Sequence, residues 1–139
     1  MFSEKEQMSK NNYVLRQCGR ILHIFEPIYR INYYFVTAKN WIDARKFIES
    51  HFMVKLERDL KERSGYFCIL NKNKTECGVI WAVKNDYPYL AHEILHAVCW
   101  SMDRVGIKLS AESEEAYTYL HTFLMRSILK GDISVLRSK

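Results

Sequence analysis

Residues 65–83 read GYFCILNKNKTECGVIWAV, and this stretch decides the fold that the sequence predicts. It contains two apolar runs, GYFCIL and CGVIWAV, in which β-branched and aromatic residues suit the pleated surface of a sheet. The polar residues between them, NKNKTE, have the composition of a turn. We therefore predict two strands joined as a hairpin.

The residues before the hairpin predict another strand and a helix. Residues 28–36, IYRINYYFV, are dense in β-branched and aromatic side chains with partial alternation, which favours a strand. Asn40 is a suitable N-cap, and the apolar residues from Trp41 to about Arg63 keep roughly helical spacing. A Ser-Gly pair then supplies a stop, so this region is one long amphipathic helix or two helices broken near His51.

Two more helices are predicted after the hairpin. The segment 86–88, Asp-Tyr-Pro, ends the second strand and opens a helix that runs to Gly106, which is well placed as a C-cap. In the polar loop that follows, Ser110 or Ser113 can cap a final helix, EEAYTYLHTFLMRSILK, which is closed by Gly131. This order of elements predicts an α+β fold.

The start of the chain is less informative. Residues 14–25, VLRQCGRILHIF, fit a helix or a strand equally well, and residues 1–12 are expected to form a loose leader. A chain of 139 residues can bury one core, and no internal repeat is visible. We therefore expect residues 1–139 to form a single domain.

Composition indicates a soluble globular protein, with 48% hydrophobic and 27% charged residues. No apolar stretch approaches the length of a membrane span, and the polar start lacks the pattern of a signal peptide. A cytoplasmic protein that does not enter a membrane is therefore expected. Four cysteines without a CxxC pair argue against a four-thiolate zinc site and for reduced thiols.

The net charge of +5 raises the question of a nucleic-acid partner, because clustered basic residues neutralise phosphates. The basic residues are not clustered convincingly. In residues 55–63, KLERDLKER, the sign of the charge alternates, which is typical of a solvated helix face. Binding of nucleic acid is therefore not favoured.

Two histidines and a glutamate form the motif HEILH at residues 92–96. His92 and His96 are four positions apart, so on a helix both imidazoles project from one face and can bind one zinc ion. Glu93 lies about 100° round the helix, where it can reach a water on the metal and act as a general base. The alternative is a chance match on an ordinary helix, but the apolar neighbours favour a metal site, because burying these polar residues without a partner is costly.

A catalytic zinc site that keeps one position for water needs a third protein ligand. Glu115 lies near the start of the final helix, and the short loop before it can fold that helix start back toward the histidines. Glu114 is a neighbouring candidate and Glu112 a weaker one.

The motif HEILH, followed at this interval by EEAYTYL, resembles the gluzincin branch of zinc metallopeptidases. It resembles more closely the small single-domain HExxH proteins often encoded by bacteriophages and prophages. The resemblance covers roughly residues 78–130. It implies a zincin-like fold, in which a small antiparallel sheet packs with the HExxH helix and the following C-terminal helix. It also implies His92, His96 and Glu115 as ligands of Zn2+ and Glu93 as the general base.

Tyr119 and Trp81 each have a functional and a structural interpretation, whereas His121 has no functional one. Tyr119 follows Glu115 by one helical turn, so it can hydrogen-bond a metal ligand or an oxyanion, or simply pack. His121 falls about 240° round the final helix from Glu115, and we interpret it as unrelated to the site. By the resemblance, Trp81 can border a substrate cleft, although a place in the core is favoured.

The sequence therefore predicts a zinc-dependent hydrolase, a peptidase that uses a zinc-bound water with Glu93 as general base. The expected partner is a peptide or protein substrate, including a host protein. One alternative is a zinc-containing binding or inhibitory module of phage type without peptidase turnover. Another is a metal-free basic domain that binds nucleic acid.

Overall fold

The computed structural model describes residues 14–18, 21–57 and 62–137. The leader expected at residues 1–12 lies outside the described residues. The fold is α+β, as the sequence predicts. Its elements, in chain order, are β1 (Val14–Cys18), β2 (Ile21–Glu26), β3 (Ile31–Val36), α1 (Trp41–Phe52), β4 (Gly65–Lys72), β5 (Thr75–Ala82), α2 (Tyr87–Arg104) and α3 (Glu114–Arg137).

The five strands form one sheet in the order β1-β2-β3-β5-β4. The prediction of an antiparallel sheet is wrong at one pair, since β3 and β5 run parallel, from Asn32 opposite Cys77 to Val36 opposite Trp81. The reason lies in the connection. After β3 the chain passes through α1 and forms β4 at the far edge of the sheet. Strand β5 then runs antiparallel to β4, which gives it the same direction as β3.

The ambiguous stretch 14–25 lies within the region of β1 and β2, which pair antiparallel. In β2 the side chains alternate between the two faces of the sheet. Leu22 and Ile24 join the core on the side of α2 and α3, whereas Ile21 joins the core on the side of α1. A strand buried on both faces lacks a polar face, which explains why its sequence pattern resembled a helix equally well.

Helix α1 is shorter than the predicted helix from Trp41 to Arg63. Asn40 caps it as expected, since its side chain accepts a hydrogen bond from the backbone N–H of Asp43 at 2.9 Å. The break near His51 is confirmed, because Met53 adopts a left-handed conformation with φ 54° and ends the helix. Residues 54–57 and 62–63 are not helical, so the prediction of helix up to Arg63 is wrong there.

The predicted hairpin is confirmed as β4 and β5. Its turn is tighter than the predicted polar run, because Asn71 pairs with Glu76 and Lys72 with Thr75. Only Asn73 and Lys74 remain as the loop, with φ values of 53° and 64°. Two consecutive positive φ values are the signature of the two-residue turn whose twist matches that of the strands.

Helices α2 and α3 cover one face of the sheet and α1 covers the other. The predicted end of the final helix at Gly131 is wrong, because α3 continues to Arg137. A Cβ atom at position 131 would overlap a methyl group of Leu22 in β2. Gly131 therefore serves close packing between helix and sheet. No helix in the described part of the chain has both the length and the apolar character needed to cross a bilayer.

The packing at Gly131 yields a stability prediction. Replacing glycine by alanine inside a helix usually stabilises it by about 1 kcal/mol. Here we expect Gly131→Ala to destabilise the protein by about 1–3 kcal/mol in urea denaturation, because the new methyl group collides with Leu22. In a Leu22→Ala background the same change should cost much less. A gain in stability with Leu22 intact would contradict this account.

Candidate metal centre

Helix α2 places the two histidines of HEILH on its solvent side. Asp86 caps the helix by accepting a hydrogen bond from the backbone N–H of Tyr89 at 3.2 Å. An apolar stripe then fixes the rotation of the helix against the sheet and α3, and it consists of Leu90, Ile94, Ala97, Val98 and Met102. Because His92 and His96 lie off that stripe, both are exposed.

The two imidazoles are close enough to share one ion. Their Nε2 atoms are 3.2 Å apart, and the ring planes are nearly perpendicular at 79°. A tetrahedral zinc ion with Zn–N bonds of about 2.0–2.1 Å holds two nitrogens about 3.3 Å apart. The pair therefore fits zinc with little movement. The same separation allows a hydrogen bond between two neutral rings of opposite tautomer.

Within the described ranges, only one group of histidine, cysteine and acidic side chains is compact enough for a metal ion. It consists of His92, Glu93 and His96. The Glu93 carboxylate and the two imidazoles have ligand atoms that all lie within 4.8 Å of one another. Unlike the histidines, Glu93 is only 6% exposed. Its position on the sheet side of α2 brings a buried carboxylate beside two exposed imidazoles.

A glycine makes room for Glu93. A Cβ atom at Gly65, the first residue of β4, would lie 2.7 Å from both Cγ and Oε2 of Glu93. Such a separation is shorter than any normal contact, so a larger residue would displace the carboxylate. In the sequence, Gly65 predicts only the end of the preceding helix and the start of a strand. Its role depends on how α2 packs against β4, and no local pattern reveals that packing.

Burial raises the pKa of Glu93, and electrostatic interactions with His92, His96 and Arg63 oppose that shift. Arg63 precedes β4, and its guanidinium carbon lies 5.5 Å from the centre of the Trp41 ring and 5.4 Å from that of Tyr66.

The structure does not bring Glu115 to the histidines. The group that could hold an ion includes none of Glu112, Glu114 and Glu115, all of which are described. The reason is the rotation of α3. The Nε2 atom of His121 lies 3.3 Å from the backbone oxygen of Ala91, so the His121 side of α3 faces α2. Glu115, about 240° away on the same helix, faces elsewhere.

Glu115 and Tyr119 instead line a groove of about 440 Å³ between α3 and the residues Pro27 and Ile28. The Tyr119 hydroxyl lies 3.5 Å from a carboxylate oxygen of the buried Glu26. Burial, and then the charge of Glu26, raise the pKa of Tyr119 to about 12. Because the structure places both residues at this groove, it does not supply the geometry for Glu115 as third ligand or for Tyr119 as a catalytic donor, and both roles stay predictions.

Trp81 lies in the core, as favoured by the sequence. It is fully buried on the α1 face of the sheet, and its indole N–H donates to the backbone oxygen of Ala38 at 3.1 Å. This position separates it from the histidines, because α2 packs on the opposite face. The border of the site is formed by β4 instead.

Comparison with known proteins found no matching family model, no matching curated protein and no matching solved structure. The assignment of a metal centre therefore rests on the geometry of His92, Glu93 and His96.

The geometry predicts which substitutions abolish zinc binding. We expect a stoichiometric zinc ion in protein loaded with zinc and then desalted, measured by plasma mass spectrometry. His96→Ala should reduce the content to background, because one imidazole alone binds zinc weakly. His51→Ala, which removes an exposed histidine on α1, is the matched control and should keep the ion.

Glu115→Ala in the same assay tests the third ligand. Since Glu115 lies outside the cluster, we expect this variant to retain zinc. Loss of the ion from Glu115→Ala would show that α3 moves to supply a ligand. An empty wild-type protein under metal-replete conditions would reject the metal centre itself.

Proposed function

We propose that the protein is a zinc-dependent hydrolase, a peptidase in which His92 and His96 hold the ion and Glu93 is the general base. The observation that carries the proposal is the 3.2 Å separation of the two Nε2 atoms with a buried carboxylate in the same cluster. A chance match to HExxH on a solvated helix has no reason to bury its glutamate.

The residues have separate tasks. When bound, zinc supplies Lewis acidity, which polarises a carbonyl and lowers the pKa of a water molecule towards about 7. His92 and His96 position the ion at the surface of α2, where a substrate can approach. Glu93 accepts a proton from the attacking water at a carboxylate oxygen and returns it to the leaving nitrogen.

The edge of the sheet supports a peptide as the substrate. Strand β4 is the last strand of the sheet, and in the described residues only β5 pairs with it. It begins at Gly65, directly beside Glu93. An extended peptide that added to the free edge of β4 would form main-chain hydrogen bonds there and pass close to the histidines.

One observation favours a second candidate function. If Glu93 is the general base, only His92 and His96 of the cluster remain as protein ligands, whereas hydrolytic zinc sites usually have three. A protein that holds zinc in order to bind another protein, including a host factor, needs no open position for water. This zinc-containing binding or inhibitory module of phage type would not turn over peptides.

Substitution of Glu93 separates the two candidates. We expect zinc-loaded wild-type protein to cleave fluorescein-labelled casein and Glu93→Gln to cleave it about 100- to 10,000-fold more slowly, because the general base is lost. The zinc content should be unchanged, since both imidazoles remain. Equal cleavage by both proteins would contradict the role of Glu93, and a zinc-loaded wild-type protein that cleaves nothing would favour the binding module.

Gly65→Ala is a companion variant that leaves the chemistry of every site residue intact. Its new methyl group would push the Glu93 carboxylate aside. It should therefore lower cleavage while the zinc content stays at the wild-type level. Gly131→Ala, whose added carbon meets Leu22 instead of Glu93, controls for the general effect of crowding a closely packed glycine.

A further inference from the structure

The outward face of α3 is a ridge between two grooves. The first groove, of about 440 Å³, is lined by Glu115, Thr118, Tyr119, Thr122, Phe123 and Arg126 of α3 together with Pro27 and Ile28. The second, of about 470 Å³, lies further along the helix and includes Met125 and Leu129. Thr122 and Arg126 line both grooves, so they form the ridge that separates them.

This face carries two opposite charges that cannot pair within one chain. Glu115 and Arg126 are eleven residues apart, which places them within about 20° on the helix but about 16 Å apart along its axis. Both side chains are exposed, and neither has an ion pair with any residue in the described ranges. The face thus has an acidic end and a basic end.

Apolar side chains accompany the two charges. Ile28 is 63% exposed beside the first groove, and Tyr119 is 36% exposed. Met125 and Leu129 are only partly buried against the core. Thr118 and Thr122, near the middle of the face, are short enough for another helix to approach closely.

We propose that this face binds a second copy of the same chain, with the two α3 helices antiparallel across a two-fold axis near Thr118 and Thr122. In that arrangement Glu115 of each copy lies opposite Arg126 of the other, so the interface contains two equivalent ion pairs. The ridge of each helix enters a groove of its neighbour, which is how helices pack.

The self-complementarity of the face selects a second copy over an unrelated partner. A two-fold interface brings one surface patch against itself, so the patch must contain both members of every contacting pair. This face contains both the acidic and the basic residue, and both a ridge and its grooves. The pairing does not involve His92 or His96, so it is independent of the proposed hydrolase function.

Charge reversal in sedimentation equilibrium tests the proposal. The full-length wild-type chain should reach twice the mass of one chain at micromolar concentrations, with and without a metal chelator. Glu115→Arg and Arg126→Glu should each weaken the self-association at least about tenfold, because each replaces two attractions by two repulsions. The double variant, E115R with R126E, exchanges the charges and should restore the dimer.

Asp103→Arg is the control. It makes the same change from an acidic to a basic side chain at an exposed position of α2, and Asp103 lines neither groove. It should self-associate like the wild type, and circular dichroism confirms that all variants fold. A monomeric wild type, single variants that dimerise normally, or a double variant that stays monomeric would each overturn the proposal.

Discussion

The site depends on one contact, between Glu93 of the HEILH motif and Gly65, the first residue of β4. Because Gly65 has no side chain, α2 can lie so close to the sheet that the Glu93 carboxylate is buried there. Once Glu93 faces the sheet, helical geometry turns His92 and His96 outward together. The apolar stripe of α2 lies on the side opposite the two histidines and packs against the sheet and α3. It therefore keeps the helix in this rotation.

The elements with local signals could be predicted from the sequence. The hairpin, the strand after Pro27, the cap at Asn40 and the helix that carries HEILH all have residue patterns that act over a few positions. The stop signals were harder to interpret. The sequence predicts that Gly65 ends a long helix and that Gly131 ends the final one, yet in the structure each glycine allows another element to pack closely against it. A glycine required for a turn and a glycine required for close packing look alike in sequence.

The rest of the site could not be predicted, because it depends on how two helices are rotated against each other. The spacing from His96 allowed Glu115 to reach the histidines only if α3 turned that residue toward α2. In the structure α3 turns His121 toward α2, through the contact with Ala91, and Glu115 faces the groove near Pro27. The rotation is set by the buried residues of α3, among them Leu120, Leu124 and Ile128. Buried apolar contacts outweigh the placement of one exposed carboxylate.

The central claim is that α2 carries a preformed pair of imidazoles that binds one zinc ion. Nitrogen NMR of the histidine rings during a zinc titration tests it most directly, because the chain has five histidines and each ring reports separately. The account predicts that the Nε2 signals of His92 and His96 shift together and saturate at one equivalent of zinc, while those of His23, His51 and His121 stay in place. A response of the other three rings alone, or none in the HEILH pair, would contradict it.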